Sequence, residues 1–552
     1  MGGRKLPSFF TDCVMPNDEA LRRCVKSGMT VASGFATSEP HTYYASLWDH
    51  IVREDIVGLD IRQALFMAPH RICLGSALES KGIMKEVSER WADVPILGQF
   101  SRQVHATSRK LEGLNRLISH YEELKRRRIT FTSPFIGAAT NAIIPANAIT
   151  SRLYPEYVGR NTTRTGITRM QSIHFPDAVD SMGYDPDDQP MVDTFVLPMT
   201  PPNEKGEMSH GLANGANGEI LDKILRLKTV NILLYINPDY PFTRGYGDDA
   251  RNTVNIKEFE GLARAGRLFV VEDSGKLPGL PRDALANPAP AEEKIAQNVV
   301  NHIEANLRFT GGRAIQVGFG STGVLAIKAL KQSSWTGRCY TEMLEPFTLD
   351  LWEAGKIAGT HFIEKDGRRT QLDGKLACTF TICEEGSDFY RKLHNNPSVI
   401  VAPASRVVIP EGFHRGLGIN NCLGIDFHGH INAGGRDKNH FSGVGGGATI
   451  NRGLSNGGIA YFCLKSTHTT PEGKVRSSIF PFLPLGTPVS YIGPDLMGGR
   501  DGARFFLVTE HGVTQMSGRD QHNFIKGLIS VADPAFRDEL RYQAYREFRV
   551  HV

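Results

Sequence analysis

The chain has 552 residues, 40% of them hydrophobic and 22% charged; these are ordinary globular proportions in a length beyond what one hydrophobic core usually serves, so two domains are expected. Lys and Arg number 63 against 59 Asp and Glu, a formal +4, which is too small and too dispersed to point to nucleic acid. Eight cysteines stand without a CxxC pair, no signal-like apolar stretch follows Met1, and no apolar run approaches the roughly 18–20 residues of a bilayer crossing, so a reduced, cytoplasmic setting without a membrane span is expected.

Along the chain, Ser101 to Arg128 sets Leu111, Leu114, Leu117, Ile118 and Tyr121 at helical spacing and ends in Lys125 to Arg128. A basic helix C-terminus is favoured by the helix dipole, and contact with an acidic partner or with phosphates is the alternative. Thr229 to Ile236 and Arg267 to Glu272 read as buried strands, and alternation of such segments with amphipathic helices argues for α/β domains with open, parallel sheets. Between Ser274 and Pro290 the chain is rich in Pro and Gly, and a helical pattern resumes at Glu292. The boundary is placed there, giving domains 1–285 and 286–552.

Next, Ala314 to Val317 reads as a strand running into Gly318-Phe-Gly-Ser-Thr-Gly323 and a helix, Val324 to Leu330. This is the spacing of a dinucleotide fingerprint, and Glu342, 19 residues past Gly323, even stands where a ribose-binding acid would. By itself the turn is equally compatible with NAD, with another ligand and with close backbone packing.

Beyond the turn, Ile315 to Gly323 resembles the glycine turn of the acetyl-CoA hydrolase/transferase family of class I CoA-transferases, and Tyr340-Thr-Glu-Met343 resembles its active-site TEM motif. Further pieces follow in family order: Val25 to Val31, Ser38-Glu-Pro40, Thr200 to Gly206, Asn237 to Gly245, Asn395-Asn-Pro397, Ile419 to Gly429, Phe441 to Gly446, Val508 to Gly512 and Ala532 to Leu540. The resemblance implies two tandem open-sheet domains of the NagB/RpiA-like CoA-transferase type.

The resemblance also implies the chemistry. Glu342 is the expected catalytic carboxylate, attacking an acyl-CoA thioester and then carrying CoA as a glutamyl thioester. Gly318, Phe319, Gly320, Ser321 and Thr322, with Asn420 and Gly443, are the expected CoA-binding positions. Acyl-CoA and small carboxylates are the expected substrates, with no tightly bound cofactor and no metal, in a homodimer. Transfer of CoA to an acid is favoured over acyl-CoA hydrolysis, with an NAD-linked oxidoreductase as the remote alternative. The chain departs from the family where a Lys-Gly-Gly-Lys segment is frequent, having Asn456-Gly-Gly-Ile459, and an added segment near 98–165 has no counterpart in compact members; it is read as a lid, an oligomer contact or a surface excursion.

Three other constellations are weighed on the residues. His428 and His430 lack companions at zinc-like spacing and are not read as ligands. Cys378 and Cys383 read as buried small apolar residues. Glu510 is either an acid close to the site, as in relatives, or a strand-end carboxylate accepting turn amides.

Overall fold

A computed structural model describes residues 6–68, 70–79, 116, 119–135, 167–171, 173–247, 249–280, 288–318, 320–436, 439–440, 442–443, 445–470 and 474–552. The chain divides into two compact units, Met1–Ala284 with Thr379–Arg406, and Leu285–Cys378 with Val407–Val552.

The first unit is built on an all-parallel sheet. Its strands lie in the order Thr168–Met170, Thr130–Ser133, Asp60–Arg62, Thr30–Ser33, Thr194–Met199, Asn231–Ile236, Leu268–Glu272. Both faces are covered, so its central strands are apolar throughout instead of alternating. In Asn231–Ile236, Leu233 and Tyr235 enter one core with Tyr43, Tyr44, Leu47 and Ile51 of the helix His41–Arg53. Ile232, Leu234 and Ile236 enter the other, with Ile220, Leu221 and Ile224 of the helix Asn217–Leu227. Successive side chains point to opposite faces, and each fully buried one contributes about 1.5–3 kcal/mol.

The second unit is also a parallel sheet with helical crossovers. Its strands run Leu376–Cys378, Arg338–Tyr340, Ala314–Val317, Leu417–Asn421, Ile459–Cys463, Arg504–Thr509, with Gly512–Gln515 antiparallel at the edge. The helix expected from Glu292 is Pro290–Ala305, with Pro at its start and the Glu292 carboxylate accepting from the Ala289 amide at 2.9 Å. It packs on the helix Ser321–Leu330.

The architecture is therefore α/β with parallel open sheets, as expected. It departs from a single cut at 285/286 because 379–406 folds with the first unit. The reason lies in the backbone: the Asn214 amide donates to Thr379 O (2.9 Å), Thr381 to Leu212 O (2.8 Å), Asn395 to Phe242 O (2.8 Å) and Val401 to Arg244 O (3.0 Å). Pairing with loops of the first unit satisfies these backbone groups.

Most of 98–165 lies outside the described residues. Its described part includes helical residues 119–126 and the strand Thr130–Ser133. There Lys125, Arg126 and Arg127 face Glu122, Glu123 and Asp55, so this basic helix end is occupied by carboxylates of its own unit. Among the described residues no helix is long and apolar enough to cross a membrane.

Candidate active site

In the second unit the chain leaves Ala314–Val317 outward through Arg338–Tyr340 and Leu376–Cys378, then returns to Leu417–Asn421 on the other side. Strand order reverses between Ala314–Val317 and Leu417–Asn421. In open α/β sheets the crevice beyond the carboxyl ends of strands at such a reversal is the usual ligand site.

The glycine turn occupies that place. The Gly318 amide donates to Ile419 O at 2.8 Å, and a β-carbon at 318 would stand 3.0 Å from Asn420 Oδ1. Gly320 has φ +140°, a conformation closed to L side chains, and a β-carbon there would overlap Asn421 Nδ2 and lie 3.0 Å from its Cγ. The spacing that looked like a dinucleotide fingerprint thus answers, at its first two glycines, to the close approach of Asn420-Asn421.

Asn420 is 95% buried, and its Nδ2 has no hydrogen-bond partner among the described residues. A buried donor left unpaired costs about 1–3 kcal/mol, and such groups concentrate where a ligand or ordered water completes the set. Structure therefore joins two of the expected CoA-binding positions, Gly318 and Asn420, in one contact.

Glu342 follows the neighbouring strand. Thr341, just before it, accepts the Val317 amide on Oγ1 (3.4 Å) and donates to Met343 O (3.0 Å), tying the bend that carries Glu342 to the strand that carries the turn. Among the described residues, the one hydrogen bond to the Glu342 carboxylate comes from the Gly446 amide. Gly446 caps the N-terminus of the helix Gly447–Leu454, the positive end of its dipole.

The electrostatics of this position are opposed. Although Glu342 keeps some accessible surface, protein atoms surround its carboxyl, and desolvation pushes it up to about 7 against the lowering effect of the Gly446 amide. Tyr491 stands close enough that the Glu342 charge helps raise its hydroxyl, and a β-carbon at Gly447 would overlap Tyr491 Oη.

Glu345 is also raised to about 7 by burial, yet its oxygens are occupied. Oε2 accepts the Phe347 amide (2.6 Å), and Oε1 accepts the Thr348 amide (3.0 Å) and its hydroxyl, capping the helix Pro346–Glu353. Of two neighbouring desolvated acids, one is a cap and the other, among the described residues, accepts only the Gly446 amide.

The remaining expected positions divide. The Ser321 hydroxyl donates to Glu292 Oε1 (2.8 Å), which Lys465 also meets at 3.3 Å, so its side chain is committed within the fold. Thr322 is buried in the first turn of the same helix, and Gly443 is buried with its carbonyl accepting from the Ser442 hydroxyl (2.9 Å). Phe319 lies outside the described residues. Glu510 accepts the Ser466 amide (3.0 Å) and hydroxyl (2.6 Å), a strand-end carboxylate bonded to a turn. Asp426 Oδ1 accepts the His428 and His430 amides (3.0 and 2.9 Å), and the His428 ring packs on Phe482 and Phe548. Cys378 and Cys383 are buried and in no disulfide. The sequence reading missed Gly446 and Tyr491; the Gly445-Gly-Gly447 run just before a helical pattern was the available signal for the first, and Tyr491 had none.

Glu342 and the glycine turn thus follow two neighbouring parallel strands, Arg338–Tyr340 and Ala314–Val317, the second of which borders the reversal of strand order. Residues 386–544 match the acetyl-CoA hydrolase/transferase C-terminal domain. A butyryl-CoA:acetate CoA-transferase of Anaerostipes caccae is 26% identical over 362 residues, covering 63% of this chain and 71% of that protein. A 4-hydroxybutyrate coenzyme A transferase of Clostridium kluyveri is 25% identical over 362 residues, covering 65% and 73%. The fold is shared with RipA from Yersinia pestis, at a TM-score of 0.67 and 21% identity, over 98% of this chain and 99% of that one. The motif resemblance to the acetyl-CoA hydrolase/transferase family therefore holds, and the chain is an enzyme of the CoA-transferase and acyl-CoA hydrolase type.

Proposed function

We propose that this enzyme moves CoA from a short-chain acyl-CoA to a carboxylic acid through a glutamyl-CoA thioester on Glu342. The observation that carries the reading is the state of that carboxyl: desolvated, partly accessible and, among the described residues, held by the Gly446 amide alone. Desolvation raises the basicity of a carboxylate and strips the water that blunts it as a nucleophile, while the Gly446 amide and the helix behind it hold it in place.

The steps balance without a cofactor. A Glu342 oxygen attacks the thioester carbonyl, the C–S bond breaks, and CoA leaves as thiolate from an acyl-glutamyl anhydride. The thiolate attacks the glutamyl carbonyl, releasing the first acid as carboxylate and leaving glutamyl-CoA. An acceptor carboxylate then repeats the sequence in reverse and departs as the new acyl-CoA, restoring Glu342. Charge developing on the tetrahedral oxygen is met by backbone amides, for which the turn at Gly318 and Gly320 is the candidate. The Asn420 amide, buried and unpaired, fits a carbonyl or hydroxyl of the CoA arm. The names of the two relatives support this reaction class, and the same reading takes CoA thioester as substrate, with no tightly bound group at Glu342, in a cytoplasmic homodimer.

Incubation with acetyl-CoA, with and without propionate or succinate, tests it. Acceptor-dependent formation of the new acyl-CoA, with borohydride trapping on the peptide containing Glu342, is expected. Thiol release at full rate without an acceptor would assign hydrolysis instead, and an unmodified Glu342 in an active enzyme would remove the covalent route.

A further inference from the structure

We propose that Glu39, His41 and His70 of the first unit form a three-donor binding site for a zinc-type divalent metal ion. Each offers a donor atom, and all three lie within 4.8 Å of one another. They come from the carboxyl ends of two neighbouring parallel strands. Thr30–Ser33 leads through the turn Ala36–Ser38 to Glu39, and Asp60–Arg62 leads to His70. Strand order in this sheet reverses between Thr30–Ser33 and Thr194–Met199, so the strand that leads to Glu39 and His41 borders the crevice where an open α/β sheet binds ligands.

The three groups are already arranged as ligands with support. Glu39 is fully buried and His70 97% buried. The Met67 amide donates to Glu39 Oε2 (2.8 Å) and fixes the carboxylate, leaving Oε1 facing His70 Nε2 at 2.7 Å. Such an outer partner on a ligating carboxylate is what a metal site requires. The His70 ring is held by stacking on Tyr44, with centroids 5.0 Å apart. His41, in the first turn of its helix, lies 5.3 Å from the His70 ring and makes no side-chain hydrogen bond among the described residues. It is half-buried, so the cluster opens on its side.

A structural ion pair explains Glu39 and His70 but leaves His41 with no task in a buried polar corner. Two imidazoles and one carboxylate are a complete protein set for zinc with one position open. To admit the ion, the 2.7 Å contact between Glu39 Oε1 and His70 Nε2 opens. Neither Glu39-x-His41 nor the step of 29 positions to His70 is a zinc spacing, so nothing in the sequence marks this cluster.

The test uses the full chain, freed of any affinity tag and stripped with a chelator, then titrated with Zn²⁺ against a chromophoric competitor and separately loaded with Co²⁺. One ion per chain, with Co²⁺ absorption bands of low coordination number, is expected. His41→Ala, at a half-buried position that tolerates truncation, and Glu39→Gln are each expected to weaken binding about tenfold or more with an unchanged far-ultraviolet spectrum. Absence of Zn²⁺ binding to the unaltered chain overturns the proposal, as does binding that His41→Ala leaves unchanged.

Discussion

The Gly446 amide donates to the Glu342 carboxylate from so close that a β-carbon on residue 446 would overlap Glu342 Oε2 and stand 3.2 Å from its Cδ and 2.5 Å from Val408 Cγ1. The backbone of Gly446, at φ −87° and ψ 0°, is open to any residue. Glycine is required there for space alone.

Gly446→Ala therefore leaves the main chain in place and drives the Glu342 carboxyl from its position. Displacing a nucleophile by about an ångström costs on the order of a hundredfold in rate. Steady-state turnover with acetyl-CoA and an acceptor should show this loss in kcat, with the KM for acyl-CoA little changed.

The pH dependence follows from the same carboxyl. A glutamate with its ordinary value near 4.5 would be fully ionised at pH 6; Glu342, pushed up to about 7, is not. The rate of the first half-reaction should fall as pH drops through about 7, with the slope of one proton. A profile flat down to pH 5.5 would contradict a desolvated nucleophile.

Stability moves the other way. The folded chain holds a proton on Glu342 that the unfolded chain gives up between about 4.5 and 7, so folding is weakened as pH rises through that window and stays weakened above it. Glu342→Gln should abolish transfer yet raise Tm at pH 8, through a gain in unfolding free energy on the order of 3 kcal/mol at most. Glu345→Ala, which removes a helix cap, should lower Tm through a loss of about 1–2 kcal/mol in unfolding free energy, measured below that pH window because the Glu345 carboxyl is likewise raised to about 7. Paired thermal melts of the two variants separate the acid that works from the acid that holds.

At Asn420 the unpaired Nδ2 predicts a split between binding and folding. Asn420→Ala removes a buried donor that nothing among the described residues satisfies, so the unfolding free energy should change by less than about 1 kcal/mol. The KM for acyl-CoA should rise about tenfold, the loss of one buried hydrogen bond to substrate. Ser321→Ala, cutting the bond to Glu292, is expected to do the opposite, costing about 1 kcal/mol of stability and leaving KM where it was.

Much of this was legible in the chain. Alternating apolar and amphipathic segments announced parallel sheets, because the period of a doubly covered strand survives in composition. Glu342, Gly318 and Asn420 stood out through motifs whose residues fall on three adjacent structural pieces. What stayed hidden depends on long-range contact. Gly446 is 104 residues from the carboxyl it serves, and nothing local demands glycine there. Ser321 sits inside the expected binding motif, but its hydroxyl is claimed by Glu292 on another helix. The destination of 379–406 is set by amides and carbonyls of loops more than a hundred residues upstream.

That last segment has a consequence for how the protein is made. The chain passes between its two units three times, near 284, 378 and 406, so neither is a continuous piece of polypeptide. A ribosome that has released the first 284 residues has not yet supplied all the partners of that half, and its completion waits until residue 406 has emerged. Expressed alone, 1–284 should be prone to aggregate, and dissection of this enzyme into independently working halves would have to begin by restoring 379–406 to the half that precedes it.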